Sequence, residues 1–385
     1  MTESGSLERS GASIAWRTDG VRGAPVVLMS NSLGTTTRMW DDQMSALVGH
    51  CFVVRYDHRG HGGSTASKGP YDIELLASDA LAVLDHLGVA TASLVGLSIG
   101  GSVAIWIAAN APQRVERLTV CCSAPSFPPA EQWARRAASV REAGVQGLLD
   151  SLLERWFTAR FAGRGAARTR LAEMLATIDA EGYAGCCEAL ATMDLSPLLA
   201  KITAPTLVLG GGEDPVVPIG RSGDLASAIG GASLAVLGGA AHLANIEKAE
   251  SFNEALVGHL LAIPRSRGER VRREVLGESH VARSAERSSA TDAAFLDLVK
   301  RVPWGEIWTR PGLDRRTRSS VTIAMLIALG RFDELAMHLE GARRNGLERE
   351  EIVEILLHSA IYCGFPAANQ AFAVARAVLD RDAEG

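Results

Sequence analysis

Six short runs of valine, leucine and their like recur between residues 25 and 237, and the stretches between them are patterned as helices. The runs are PVVLMS (25–30), FVVRYD (52–57), ASLVGL (92–97), RLTVCCSA (117–124), PTLVLGG (205–211) and ASLAVL (232–237). Strands that are apolar throughout, rather than alternating, must be covered on both faces, so this recurrence predicts a parallel sheet flanked by helices. The interval from about 127 to 200 breaks the rhythm. It is helical in pattern, rich in Ala, Arg and Glu, and reads as a helical cap inserted between two strands of the sheet. Near residue 264 the character changes again, to five arginines in nine residues without apolar periodicity. That run predicts a linker or exposed basic arm. Beyond it every pattern is helical, with Gly346 and Gly364 where helices should stop and Pro366 where the next should begin. The expected organisation is an α/β domain over 1–263, with its cap at about 127–200, and an all-α domain over 264–385 that includes the basic arm. A chain of 385 residues has ample length for two cores.

Charge and cysteine content narrow the setting. A formal net charge of -5 gives no global attraction to nucleic acid or anionic membrane, so any anionic substrate must be met by local arginines. The opening MTESGSLERSGAS lacks the basic and apolar segments of a signal peptide, and the longest apolar stretches, such as VTIAMLIALG, fall well short of the roughly 20 residues that span a bilayer. Six cysteines fall as two adjacent pairs and two isolated residues, with no C-x-x-C spacing. Neither a zinc knuckle nor a dithiol redox centre is expected; reduced thiols in a cytoplasmic protein are.

Within ASLVGLSIGGSVAIW, Ser98 sits in a G-x-S-x-G pattern between an expected strand and an expected helix. Chance alone supplies roughly 0.3 such patterns in a chain this rich in Gly and Ser, so the context decides. A sharp strand-to-helix elbow imposes strained backbone angles on the serine and leaves no room for bulky neighbours. A serine hydroxyl also needs a general base, and that imidazole needs an acid to fix its tautomer. Asp214 follows the next-to-last strand and His242 the last one, in the order Ser, Asp, His. Glu213 beside Asp214 is a rival, but the acid followed by PVVP fits the turn better. His58 and His61, in DHRGHGGS, read as parts of a structural turn tied by Asp57 and Arg59. For the oxyanion, Ile99 supplies one backbone N–H, and Leu33, in SNSLGTT, is the choice for the other.

Residues 12–263 resemble the α/β-hydrolase superfamily, and NSLGTTTRMWDDQ, YDHRGHGGS, VGLSIGG and GGAAHLANIE look most like the 3-oxoadipate enol-lactonases of the β-ketoadipate pathway. A haloalkane dehalogenase would need a carboxylate in place of Ser98. The resemblance implies a cap-borne cation for the substrate's acetate arm, for which Trp133 and Arg136 fit best.

In LGRFDELAMHLEGA, Arg331, Glu334 and His338 stand at i, i+3 and i+7, on one face of an expected helix. Taken alone, that is a surface ion-pair stripe. The words RREVLG, WGEIWTRPGLDRRTRS, ALGRFDELAMHLEGARRNG and EEIVEILLHSAIYCGFPAA, however, resemble the carboxymuconolactone decarboxylase family over most of 266–380. Thiol-peroxidase relatives in that family carry Cys-x-x-Cys-x-x-x-His where this chain has Arg-x-x-Glu-x-x-x-His, so disulfide chemistry is excluded and decarboxylation suits. The resemblance implies Arg318 and Arg331 as carboxylate binders, and His338, held by Glu334, as a proton shuttle titrating near neutrality. It also implies His358 and Tyr362 in the same pocket, and assembly through the helical domain. Glu306 and Arg310 stay unassigned. The expected substrates are small lactone carboxylates, and neither a metal nor another cofactor is required. The alternatives are a single-activity serine esterase or perhydrolase with a C-terminal oligomerisation module, or a binding protein on a degenerate hydrolase scaffold.

Overall fold

The structure is a computed structural model and describes residues 2–161, 163–261, 265–286, 289, 291–310 and 312–380. It divides into two compact units, Met1–Leu261 and Ala262–Gly385. The first is built on eight strands: β1 (Glu3–Arg9), β2 (Ala12–Gly20), β3 (Val26–Ser30), β4 (Phe52–Tyr56), β5 (Ala92–Leu97), β6 (Val115–Cys121), β7 (Thr206–Gly211) and β8 (Ser233–Leu237). Their order across the sheet is β1-β2-β4-β3-β5-β6-β7-β8. The six strands expected from the apolar runs form its parallel part, and β4, β5 and β7 are buried at every position because helices cover both faces.

Two strands escaped the sequence reading. β1 and β2 pair antiparallel with each other, and β2 pairs antiparallel with β4. β1 is exposed along nearly its whole length, so it carries no apolar signal; backbone hydrogen bonds to β2 hold it.

Around the sheet lie α1 (Asp41–Leu47), α2 (Ile73–His86) and α3 (Ile99–Asn110). The expected cap is helical: α4 (Ala130–Ala143), α5 (Leu149–Trp156), α6 (Arg164–Leu175) and α7 (Ala180–Thr192), inserted between β6 and β7. The unit closes with α8 (Ile219–Ala228), α9 (Ala244–Glu247) and α10 (Ala249–Leu260). All six cysteines are free thiols and all but Cys363 are buried.

The second unit contains α11 (Arg265–Leu276), α12 (Glu278–Glu286), α13 (Ala293–Val299), α14 (Arg315–Ala328), α15 (Phe332–Arg344), α16 (Arg349–Cys363) and α17 (Phe365–Leu379). A π-helical turn spans Lys300–Glu306. Gly346 and Gly364 follow α15 and α16 with φ of 90° and 87°, the left-handed backbone that ends a helix cheaply at glycine. The basic segment is neither a linker nor an arm over its described residues. It folds as α11 and α12, and Val271, Val275 and Leu276 are buried against Trp304. Three apolar side chains on one face suffice to dock a helix whose other faces are arginine-rich, and such a narrow stripe is masked by the charge around it. Among the described residues no helix is long and apolar enough to cross a membrane.

Candidate active site

Ser98 joins β5 to α3 with φ 58° and ψ -122°, angles a side chain adopts only under constraint. Its N–H donates to the Cys121 carbonyl at 3.0 Å, locking it to the neighbouring strand. The flanking glycines are dictated by contact: a Cβ on Gly96 would sit 2.1 Å from the Gly100 carbonyl oxygen, and one on Gly100 would sit 2.2 Å from that of Ser30. The G-x-S-x-G spacing is the condition for strand, elbow and helix to pack.

Asp214 lies in the turn after β7, buried, with Oδ1 accepting the N–H groups of Val216 at 2.8 Å and Val217 at 3.0 Å. Its other oxygen, Oδ2, is 2.8 Å from Nδ1 of the buried His242. Nδ1 donates this bond and leaves Nε2 as the basic nitrogen. Glu213 instead turns outward and pairs with Arg160. Among the described residues neither the Ser98 hydroxyl nor Nε2 of His242 makes a hydrogen bond, so neither is tied up by the fold.

Ile99 is the first residue of α3 and therefore has an N–H without an intrahelical acceptor. Leu33 is in the turn after β3, and Gly34 next to it donates its N–H to Nε2 of His61 at 3.3 Å. His61 Nδ1 lies 2.9 Å from the Arg59 carbonyl, and His58 Nε2 lies 3.0 Å from that of Asn31. Burial drives the pKa of His61 down to about 4 and that of His58 to about 3, so both rings are neutral, as acceptance of the Gly34 N–H requires. Asp57 accepts the N–H groups of Thr37 at 2.7 Å and Gly63 at 3.0 Å, and Arg59 grips Asp79 at 2.5 and 2.7 Å. DHRGHGGS is thus a structural turn, and it supports the loop that carries Leu33.

On the cap, Trp133 donates from Nε1 to the Phe127 carbonyl at 2.8 Å and the Arg136 guanidinium lies 5.4 Å from the Trp133 ring. The sequence reading overlooked three groups. Trp156, at the end of α5, leans over His242 with ring centroids 6.5 Å apart. Glu247 is buried and ties the His242 loop to the segment after α5. Tyr183 is wholly buried against the turn that bears Leu33 and Gly34. The one available signal was the GGAAHLANIE stretch, which contains Glu247; Trp156 and Tyr183 lie in a cap whose pairings no local pattern encodes.

In the second unit, His338 on α15 lies parallel to the Trp304 ring, 6.4 Å between centroids and 10° between planes. Its pKa is not near neutrality. Burial is the first cause that brings it down to about 4, with His280 adding repulsion and Glu334 opposing. Glu334 is exposed and acts through its charge; no hydrogen bond among the described residues holds the ring. Arg331 is not on the helical face with Glu334 and His338: it is the exposed residue before α15, with φ -92° and ψ 68°. Arg318 on α14 donates to the Arg310 carbonyl at 2.9 Å, and its Nε is buried without a partner. His358 and Tyr362 contact each other at 4.9 Å between centroids, but both are exposed on α16, and no contact among the described residues joins them to His338. The basic group that acts on His338 is instead His280 on α12, which itself lies near Arg272 and Arg283 of the arginine-rich segment and Arg344 at the end of α15. A hollow lined by His280, Arg283, Ser284, Asp292 and Leu296 opens beside them.

The alpha/beta hydrolase fold family matches residues 25–164, and the Carboxymuconolactone decarboxylase family matches 293–377. The chain is 37% identical over 252 residues to 3-oxoadipate enol-lactonase 2 of Acinetobacter baylyi, spanning 65% of this chain and 94% of that protein. It is 50% identical over 112 residues to 4-carboxymuconolactone decarboxylase of the same organism, spanning 29% of this chain and 84% of that one. The crystal structure of the enol-lactonase from Burkholderia xenovorans aligns with a TM-score of 0.65 and 39% identity, over 66% of this chain and 99% of that one.

Proposed function

Because the chain belongs to the α/β-hydrolase family of the enol-lactonases over its first unit and to the carboxymuconolactone decarboxylase family over its second, we propose that it is a bifunctional enzyme of the β-ketoadipate pathway. It decarboxylates 4-carboxymuconolactone to 3-oxoadipate enol-lactone and hydrolyses that lactone to 3-oxoadipate. The observation that carries this reading is the pairing itself. Each unit matches nearly the full length of a relative, and the product of one named activity is the substrate of the other.

In the lactonase step Ser98 attacks the lactone carbonyl while His242, oriented by Asp214, takes its proton. The N–H groups of Leu33 and Ile99 receive the oxyanion. The leaving enol oxygen takes the proton from His242, and a water activated by the same imidazole clears the acyl-enzyme. Trp133 and Arg136 meet the substrate's acetate arm.

In the decarboxylase step the C–C bond to the carboxylate on the γ-carbon breaks and CO2 leaves. The bonding pair passes through the ring double bond toward the lactone carbonyl, and one proton returns to carbon. His338 handles that proton. Burial keeps its ring neutral, and an anionic substrate beside it raises its affinity for a proton. Arg318, Arg331, His358 and Tyr362 remain proposed binding groups, with the last two contributing from an exposed face. Also large and exposed are Val321 and Met325 of α14, Leu329 just after it, and Leu357 and Ile361 of α16. Exposed apolar surface on two helices that pack together supports self-association of the second unit, which would bring such groups into contact with a second copy.

The experiment is to supply carboxymuconolactone to the full chain and follow products. The intact protein gives CO2 and 3-oxoadipate; Ser98→Ala gives CO2 and stops at the enol-lactone. Release of 3-oxoadipate by Ser98→Ala would remove the lactonase assignment, and undiminished CO2 release by His338→Ala would remove the decarboxylase centre.

A further inference from the structure

Two cations and one phenol of the cap converge beside the oxyanion turn without an acid between them. Arg155 lies on the last turn of α5, half-buried, and among the described residues it has neither a hydrogen bond nor an ion pair. Its position follows from the chain around it. The next residue, Trp156, accepts the N–H of Leu243 at 3.0 Å and leans over His242. Glu247 then accepts the N–H groups of Thr158 at 3.0 Å and Ala241 at 2.8 Å, fastening the end of α5 to the catalytic loop. Arg155 is therefore held where its charge is felt at Asp214, Arg136 and Tyr183. Burial, and after it the charge of Arg136, weaken its hold on its proton, with Tyr183 and Asp214 opposing.

Tyr183, on α7, supplies the second observation. It is fully buried, and the side chain that approaches its hydroxyl is the Arg136 guanidinium, a donor that leaves the phenol's own O–H without an acceptor. Its ring stacks on His61 at 6.3 Å and 20°, and a Cβ on Gly34 would sit 3.2 Å from it, so the phenol stands directly beside the turn that bears Leu33. A phenol whose O–H lacks an acceptor and two guanidinium groups that repel one another leave the same place short of an anion. A carboxylate is the one common group that answers both: it accepts from the phenol and from two guanidiniums, and it neutralises the charge.

We infer that Arg155 and Tyr183, together with Arg136, form the pocket that takes the free carboxylate of the substrate and sets a preference for anionic over neutral lactones. The inference rests on the lactonase reading above and assigns a residue pair to its specificity. Neither residue reaches the reacting atoms. They act by fixing the acetate arm so that the lactone carbonyl is presented to Ser98 and to the N–H groups of Leu33 and Ile99.

The test uses the full chain and compares lactone opening in the enol-lactone acid with that in its methyl ester, at constant pH, for wild type, Arg155→Gln, Arg155→Lys and Tyr183→Phe. The ratio of kcat/KM for acid over ester is expected to fall roughly 10- to 100-fold in Arg155→Gln and roughly 10-fold in Tyr183→Phe, chiefly through KM, with partial recovery in Arg155→Lys. Added salt should raise KM for the acid in wild type and do so less in Arg155→Gln. Should Arg155→Gln fail to fold, the ratio in Arg155→Lys and Tyr183→Phe decides. An unchanged ratio overturns the inference. So does an equal loss on acid and ester, which would show that Arg155 serves only the Asp214–His242 pair. A wild type that opens the ester but not the acid instead sinks the lactonase reading itself.

Discussion

Glu247 holds Ala241, the residue before His242, by accepting its N–H at 2.8 Å, while its other oxygen accepts the N–H of Thr158 at 3.0 Å. One buried carboxylate thereby couples the His242 loop to the end of a cap helix. Glu247→Ala leaves two backbone donors unanswered in a buried place, with an expected loss of about 1–3 kcal/mol for each. Lactonase kcat should fall with it, because the loop that positions His242 loosens. Chemical denaturation and steady-state kinetics check this; a variant with wild-type stability and kcat would show the coupling to be idle.

The acids at 213 and 214 can be separated by single substitutions. Asp214→Asn should lower lactonase kcat by about 10⁴, since the amide stabilises the wrong tautomer of His242. Glu213→Gln should leave kcat within a factor of about two, since its partner is the exposed Arg160 and exposed pairs contribute little. Comparable losses in both variants would contradict the geometry at His242.

Gly100→Ala tests the elbow. The added methyl would lie 2.2 Å from the Ser30 carbonyl oxygen, a backbone atom that cannot swing aside. Overpacking of this kind costs about 1–3 kcal/mol or more, and here it also displaces Ser98. Thermal unfolding should show a lowered Tm for the first unit, together with loss of ester hydrolysis.

Acid should destabilise the protein through its buried histidines. Burial holds His58 at about 3 and His61, His259 and His338 at about 4, whereas an unfolded histidine titrates near 6.5. Between those values the unfolded chain binds more protons, so the stability these rings contribute is complete above pH 6.5 and is lost as pH falls toward 4. The sum is on the order of several kcal/mol. Denaturant midpoints at pH 7.0, 5.5 and 4.5 should decline, and His61→Gln should decline less steeply; a flat series would contradict the assignment of neutral buried rings.

The two activities should also be separable. His338→Ala should lower CO2 release from carboxymuconolactone by about 10²- to 10⁴-fold, the usual contribution of a general acid–base group, while opening of supplied enol-lactone continues. Coupled loss of both would contradict the assignment of one activity to each unit.

Much of this was legible in the residues alone, because the physics involved is local. Uninterrupted apolar runs dictate strands buried on two faces, and glycines on either side of Ser98 dictate an elbow. Asp214 and His242 were readable because each directly follows a strand at the end of the sheet where Ser98 lies. The linear chain, by contrast, could not show β1, whose polar strand depends wholly on the backbone of β2, nor α11, whose few valines are outnumbered by arginines until Trp304 covers them. Nor could it place Arg331, Arg155 or Tyr183. Helical spacing put Arg331 on a face that the helix does not include, and the meeting of Arg155 with Tyr183 depends on how two cap helices far apart in sequence settle over the oxyanion turn. Periodicity reports which side of an element is buried; only tertiary packing determines what that side is buried against, and the charges and hydroxyls of distant cap helices are brought together at that level.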